Sequence, residues 1–405
     1  MSFDEVINYI ESAKYDATRL GLERTFELCS LLGNPQDELR FVHVTGSNGK
    51  GSVCAFLSSI LSEAGYKTGL YTSPQIEKFN DKIKISGIDA SDEMIEEAGE
   101  RVIDAAKRMS DHPSQFEMIT ALAFLIFKEA GCDIVVLEVG MGGETDSTNV
   151  IKNTEVAVIN NICLEHTEYL GNTIEAIAKI KSGIVKPGCD VVVFNSSDEV
   201  IDVVTKKALE VDVKVHIVDK NETKQAKQFD IPLMGSFQIN NLEVALEVIK
   251  ALRKRNYIIS NDVIKKGVEN TKWPARFEVL KKDPLFILDG GHNLQCALAV
   301  KKTLDEKYQD TKFVLLLGVL KDKDYLEEIR LLKDNCTQAI CITPNNGRAL
   351  SASELAEICV ENGLEAVACD TIEAGVELAL SKNEPILAFG SLYSAGEIRN
   401  LVLGK

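Results

Sequence analysis

The segment Gly46-Ser47-Asn48-Gly49-Lys50-Gly51-Ser52 constrains this chain more than any other. It joins an apolar run of strand character, Phe41-Val42-His43-Val44-Thr45, to a stretch of helical apolar spacing from Ser52 to Ala64. Glycines at such a junction let backbone N–H groups turn inward onto phosphate oxygens. A lysine offers a point charge to the β- and γ-phosphates, and a serine hydroxyl can ligate Mg2+. The segment is close to a Walker A loop, but it is shorter between its glycines and carries Gly51 between Lys50 and Ser52. A plain glycine turn is the competing reading, and the strand before it and the helix after it weigh in favour of nucleotide binding.

The strand and helix signals continue on both sides of this loop. Buried-strand runs at Ile134 to Val139, Val156 to Asn160 and Val191 to Phe194 alternate with helical patterns at Ile119 to Ala130 and Ile174 to Ile180. That alternation predicts an α/β domain with a mainly parallel sheet. The pattern pauses near Trp273-Pro274-Ala275 and restarts with short apolar runs at 285–288, 313–317, 339–342, 366–368 and 386–389. A second, smaller doubly wound, Rossmann-like domain is expected. The boundary falls between about 268 and 284, giving a first domain over 1–272, a linker at about 273–279 and a second domain over 280–405. Ligands at such a boundary can be gripped by both halves.

Composition removes several functions. Asp and Glu outnumber Lys and Arg by 62 to 45, and the resulting net charge of −17 repels a phosphate backbone. Sequence-general nucleic-acid binding is therefore not expected, and any bound anion must be held by local devices. There is no run of eighteen apolar residues, and Met1-Ser2-Phe3-Asp4-Glu5 lacks a signal-peptide pattern, so no membrane association and a cytoplasmic location are expected. Small molecules are the expected partners of a monomer. The ten cysteines are scattered without a C-x-x-C pair, as reduced core residues would be. Of the five histidines, His43 and His216 lie in strand-like runs and read as core or edge residues, which leaves His166 and His292 as functional candidates.

Further motifs follow the loop in order. They are Leu20-Gly21-Leu22-Glu23-Arg24; Tyr71-Thr72-Ser73-Pro74; Phe116-Glu117; Leu137-Glu138-Val139-Gly140-Met141-Gly142-Gly143; Asn161 through His166 to Gly171; Lys181-Ser182-Gly183-Ile184; Trp273-Pro274-Ala275-Arg276; Asp289-Gly290-Gly291-His292-Asn293; and Gly390-Ser391-Leu392-Tyr393. Together they resemble the folylpolyglutamate synthase/dihydrofolate synthase family, a branch of the Mur-type ATP-dependent acid–amine ligases, from about residue 15 to the end. The resemblance implies a phosphate-loop ATP-binding domain and a second α/β domain that serves the amino acid. It implies an activity in which a folate-type acid, dihydropteroate or a tetrahydrofolate, is activated as an acyl phosphate and joined to L-glutamate. ATP and two Mg2+ ions are the implied cofactors.

The resemblance assigns Gly46, Asn48, Gly49, Lys50, Gly51 and Ser52 to ATP, together with Asn241, Arg276 and Asp289. Ser52 and Glu138 would hold one Mg2+, and His166 with Ser73 the second; Lys50, His166 and Lys181 form the catalytic set. Glu138 also stands out by itself, because it ends an apolar run at the sheet edge where ligands bind, although a strand-end salt bridge would place it there too. Lys181 by charge alone suggests a solvated helix face. In the family the matching lysine is carbamylated by CO2, which requires a neutral amine; the familiar Glu before it is Ile180 here. Gln238, Asn241 and Ala245 have helical spacing, and a polar helix face is their ordinary reading. Leu20, Gly21, Leu22, Gln75, Phe116, Glu144 and Asp146 fall in the acid-substrate segments, and His292 and Ser391 on the amino-acid side.

Besides Ile180, three residues depart from the family pattern, all in acid-side segments: Gln75 in place of His, Gln115 in place of an aromatic or Thr-rich position, and Glu144 in place of Arg. The leading expectation is glutamate ligation to a folate-type acid. The alternatives are a ligase of the same fold with a different acid or amine, and a nucleotide-binding regulatory protein without ligase activity.

Overall fold

The structure, a computed structural model, describes residues 1–13, 21–220 and 223–404. The chain divides into two compact units. The first comprises Met1–Gln75, Phe79–Pro232 and Ile239–Thr271; the second comprises Lys272–Lys405 with two short excursions, Ile76–Lys78 and Leu233–Gln238. Both excursions come from within the stretch expected to form the first domain. Ile76 packs on an apolar cluster of the second unit, Glu77 pairs with Arg399, and the Ser236 N–H donates to Thr303 Oγ1 at 3.2 Å.

The first unit is built on β1 (Phe41–Thr45), β2 (Thr68–Tyr71), β3 (Ile83–Ile85), β4 (Ile88–Asp89), β5 (Ile134–Glu138), β6 (Thr154–Ile159), β7 (Asp190–Asn195) and β8 (Lys214–Asp219). They form one sheet in the order β4-β3-β2-β5-β1-β6-β7-β8, parallel except at the β2–β3 and β3–β4 pairs. Every residue of β1 and β5 is buried, as strands of a parallel sheet are when helices cover both faces. The cover includes α1 (Lys50–Glu63), α2 (Gln115–Glu129), α3 (Ile174–Ser182), α4 (Gln238–Lys254) and α5 (Asn261–Glu269). α2 begins four residues earlier than its apolar period suggests, because Ser114 and Glu117 close a capping box that supplies its first N–H partners. α5 lies close on α1: a Cβ added at Gly267 would sit 2.5 Å from Ile60 Cα, and Ser59 Oγ donates to the Gly267 carbonyl at 2.6 Å.

β1 lies between β5 and β6, so the connections that follow it leave in opposite directions. Val44 is in register with Glu138 on one side and Thr45 with Ile159 on the other. The carboxyl end of β1 is therefore the topological switch point of the sheet, where α/β folds place ligands. His43 is a core residue of β1, fully buried and 2.8 Å from Thr148 Oγ1, and burial holds its pKa well below the usual value. His216 is an edge residue on β8, between Asp190 and Glu247.

The second unit has β9 (Glu278–Lys282), β10 (Leu285–Leu288), β11 (Phe313–Leu317), β12 (Cys336–Cys341), β13 (Ala366–Ala368) and β14 (Ile386–Phe389), ordered β13-β12-β11-β14-β10-β9 with only β9 antiparallel. Its helices include α6 (Leu294–Lys307), α7 (Tyr325–Leu332) and α8 (Leu392–Leu403). On α7, Glu328 is 1 % exposed, and neither carboxyl oxygen has a hydrogen-bond partner among the described residues. Burial, with Asp324 adding to it, raises its pKa to about 8. Among the described residues, no helix is long and apolar enough to cross a membrane.

Candidate active site

The loop after β1 turns at the switch point, and two of its glycines are demanded by geometry. Gly46 has φ +152° and lies against Asn160, whose Cβ would be 2.9 Å from an added methyl. Gly49, the residue before α1, has φ +80°; an added Cβ there would fall 2.6 Å from Asn160 Nδ2 and closer still to Asn241 Oδ1. Only glycine accepts both the left-handed backbone and the approach. The segment after β6 laces onto the loop: the Ser47 N–H donates to the Asn161 carbonyl at 2.7 Å, and Ser47 Oγ accepts from the Cys163 N–H at 3.0 Å. Lys50 opens α1, and its ammonium donates to the Gly46 carbonyl at 3.1 Å. Ser52 is buried on the first turn of the same helix.

Glu138, at the end of β5, is 4 % exposed and accepts from the Ser73 N–H at 3.2 Å. Ser73 follows β2 and precedes Pro74 through a cis bond. These two residues and the Gly46 loop thus stand at the carboxyl ends of three adjacent strands, β2, β5 and β1. The turn after β5 is pinned from inside. Asp146 accepts from the Met141 and Thr148 N–H groups at 2.9 and 3.0 Å and from Thr148 Oγ1 at 2.5 Å, while its pKa is raised by burial. Its carboxylate therefore holds the turn.

Lys181 is not on a solvated face. It lies on α3, 1 % exposed, and its Nζ donates to the Gly46 carbonyl at 2.9 Å and pairs with Glu165 at 3.0 Å. Two ammonium groups thus share one carbonyl oxygen. Burial pushes the Lys181 pKa down and Lys50 adds to the effect, against the pull of Glu165. Burial would raise Glu165, yet Lys181 and Lys50 bring it down to about 2. His166, next in sequence, is exposed at φ +45°, at the start of a single turn Thr167–Leu170. Asn241 on α4 is 6 % exposed, so it too is no solvated polar face, and its Oδ1 accepts from Asn160 Nδ2 at 3.2 Å.

The acid-side residues are dispersed over several elements of the first unit. Leu20 lies outside the described residues. Gly21 and Leu22 precede the helix Glu23–Leu31, whose Arg24 donates from Nε to both oxygens of Glu117 at 3.1 Å. Phe116 packs against Gly140 of the turn after β5 and lies 6.2 Å from the Tyr71 ring. Glu144 is exposed beside Gly183, and the half-buried Gln75 has a buried Oε1 without a partner among the described residues.

In the second unit, Asp289 follows β10, 3 % exposed, and its oxygens accept from the Phe277 and Gly291 N–H groups at 2.8 and 2.7 Å. Burial raises its pKa and the neighbouring Arg276 opposes the rise. Ser391 caps α8 by accepting from the Tyr393 N–H, and His292 lies on the adjoining turn, which the Gly390 N–H joins at the Gly291 carbonyl. Two residues of the first unit's site are not singled out by the sequence: Glu165 and Asn160. Asn160 offers only the hint of a polar residue directly after a buried strand, and Glu165 only its place beside His166.

A glycine-built loop at the switch point of a parallel sheet, with a buried carboxylate beside it, has the form of a nucleotide-binding site. Residues 44–249 match the Mur ligase middle domain, and residues 275–392 match the Mur ligase glutamate ligase domain. The chain is 32% identical to the folylpolyglutamate synthase of Lacticaseibacillus casei over 100% of its own length and 99% of the relative's. It is 32% identical to a probable dihydrofolate synthetase of Schizosaccharomyces pombe over 94% and 97% of the two chains. Among solved structures it superposes on Mycobacterium tuberculosis folylpolyglutamate synthase complexed with ADP and AMPPCP at a TM-score of 0.90, with 26% identity over 100% and 98% of the two chains. It superposes on E. coli FolC in complex with DHPP and ADP at 0.88, with 25% identity over 99% and 98%. The chain belongs to the folylpolyglutamate synthase/dihydrofolate synthase family of Mur ligases.

Proposed function

We propose that this chain is an ATP-dependent ligase that adds L-glutamate to a folate-type acid through an acyl phosphate. The observation that carries the reading is the glycine-built loop at the switch point, with Lys50, Lys181 and Glu138 around it, in a chain that matches its relatives end to end. ADP, AMPPCP and DHPP are bound in those relatives' structures, which supports a nucleotide and a second small-molecule ligand here.

A carboxylate oxygen of the acid attacks the γ-phosphorus of ATP and ADP leaves. The amine of glutamate then attacks the acyl carbon, phosphate departs, and the nitrogen loses a proton. The loop N–H groups and Lys50 hold the phosphates and take up charge as it moves onto ADP. The hydroxyl and carboxylate of Ser52 and Glu138 are oxygen donors that suit Mg2+, a hard cation, and would hold one ion; Ser73 with the His166 imidazole would hold a second, and Mg2+ there would supply neutralisation of phosphate charge. Among the described residues no three His, Cys, Asp or Glu side chains converge on a metal site. A carbamate on Lys181 would add negative charge beside these ions. Burial and the Lys50 ammonium favour the neutral amine that carbamylation needs, and the Glu165 pair must open for it. Gly21, Leu22, Gln75, Phe116 and Glu144 would meet the acid. In the second unit, Arg276 beside Asp289 offers a guanidinium to an anionic group, and His292 and Ser391 on adjoining turns serve the amino acid.

One observation favours a second reading, a related acid with a different head group: Glu144 places an exposed carboxylate where the family carries a cation. A site that hydrogen-bonds its ligand rejects analogues that leave its polar groups unpaired, so such a change redirects substrate choice more than rate. The test is phosphate release by the purified protein with dihydropteroate, tetrahydrofolate and other aryl or heteroaryl acids, each with and without L-glutamate. Turnover that needs a pterin acid and glutamate together is expected. Turnover with another carboxylate and none with either pterin overturns the folate assignment and leaves the ligase chemistry standing.

A further inference from the structure

Asn160, the residue directly after β6, is 1 % exposed and belongs to no assigned group of the site. Its Nδ2 donates to the Asn48 carbonyl at 2.9 Å and to Asn241 Oδ1 at 3.2 Å. Its backbone N–H donates to the Thr45 carbonyl at 2.8 Å, which fixes the side chain's origin to the end of β1. Gly46 and Gly49 are both pressed against it, so the loop wraps this side chain on two sides. The amide therefore meets the phosphate loop at its third and fourth residues and the α4 residue assigned to the nucleotide, while the Cβ of the same residue lies against the loop's first, Gly46.

We propose that Asn160 is a positioning residue for ATP: its amide sets the spacing between the phosphate loop and Asn241, so that both reach one nucleotide without rearrangement. This rests on the nucleotide-binding reading above and adds a residue that acts through the groups which touch ATP. A buried amide suits the task because its two N–H groups point in fixed directions and serve two acceptors that would otherwise repel each other at close range. A hydroxyl at this position has a single donor and could join only one of the two. An aliphatic side chain would leave the Asn48 carbonyl and Asn241 Oδ1 buried without this donor.

The experiment measures ADP binding by calorimetry and steady-state kinetics on the full chain for Asn160→Ala, Asn241→Ala and the double variant, with Asn160→Ser as the milder change. Asn160→Ala is expected to weaken ADP binding and raise KM for ATP by about tenfold, with kcat and KM for glutamate within about twofold. Asn160→Ser should lie between. The double variant should bind ADP little worse than the weaker single variant, because each change already breaks the shared contact. Unaltered ADP affinity in Asn160→Ala overturns the proposal, as do fully additive losses in the double variant or a parallel rise in KM for every substrate. A native protein that binds no ADP refutes the nucleotide reading itself, whereas ADP binding without ligation of any acid refutes only the ligase reading.

Discussion

Replacing Glu328 by glutamine is expected to stabilise the protein, and the gain should depend on pH in a way that its surroundings dictate. Glu328 is buried on α7 with neither oxygen hydrogen-bonded among the described residues, and its pKa is raised from an ordinary 4.5 to about 8, by burial first and by Asp324 second. The folded chain therefore keeps a proton that the unfolded chain releases. For an acid shifted upward, folding is opposed increasingly as pH climbs from about 4.5 to about 8, and the penalty is constant above that. Between these values each pH unit costs about 1.4 kcal/mol, so the penalty at pH 7 is about 3 kcal/mol and at pH 4 only about 0.2 kcal/mol. Glutamine keeps the volume and never ionises. Urea unfolding of the full chain at both pH values, with m compared between variants, should give Glu328→Gln a gain of about 3 kcal/mol at pH 7 and almost none at pH 4. A gain that is equal at the two pH values, or a loss at both, would refute the reasoning, because a purely steric effect does not titrate.

Two further expectations concern the site. Lys50→Ala should reduce ligation by about 10²-fold or more, because it removes an electrostatic contact to the transferred phosphate. Its unfolding free energy should fall by only about 1 kcal/mol, the worth of the hydrogen bonds its ammonium gives the Gly46 and Ser47 carbonyls; wild-type turnover at saturating ATP would end the phosphate-loop assignment. The Lys181 amine should take up CO2 as a carbamate with release of a proton. Protein incubated with 13C-bicarbonate should show a carbamate carbon signal that Lys181→Ala lacks, and short carboxylic acids should partly restore activity to that variant. Fully active native enzyme without the signal would exclude the modification.

Much of this arrangement was legible in the residues alone, because its causes are local. Short, mainly apolar and β-branched runs mark β1, β5 and β6 whatever surrounds them, and glycines before a helix-forming stretch mark the phosphate loop. Four strands escaped such a reading, and β8 showed only as the strand-like run around His216. β2 contains Thr68 and Gly69, β3 and β4 are three and two residues long, and β9 is an edge strand with exposed polar positions, so none of the four carries an apolar run of its own. Their pairing is decided by neighbours: β2 exists because it lies against β5, and β9 because it folds back on β10. The same division holds in the site. Sequence places Lys50, Glu138 and Lys181 at the ends of elements, but a lysine has the same letter on a solvated face as it has when buried against the Gly46 carbonyl. Only the crossing of β1 between β5 and β6 brings Asn160, Asn241 and Lys181 around one loop, since contacts between residues 81 to 135 positions apart leave no local period to read. The chain's chemistry is written residue by residue; which residues share it depends on the order of strands in the sheet.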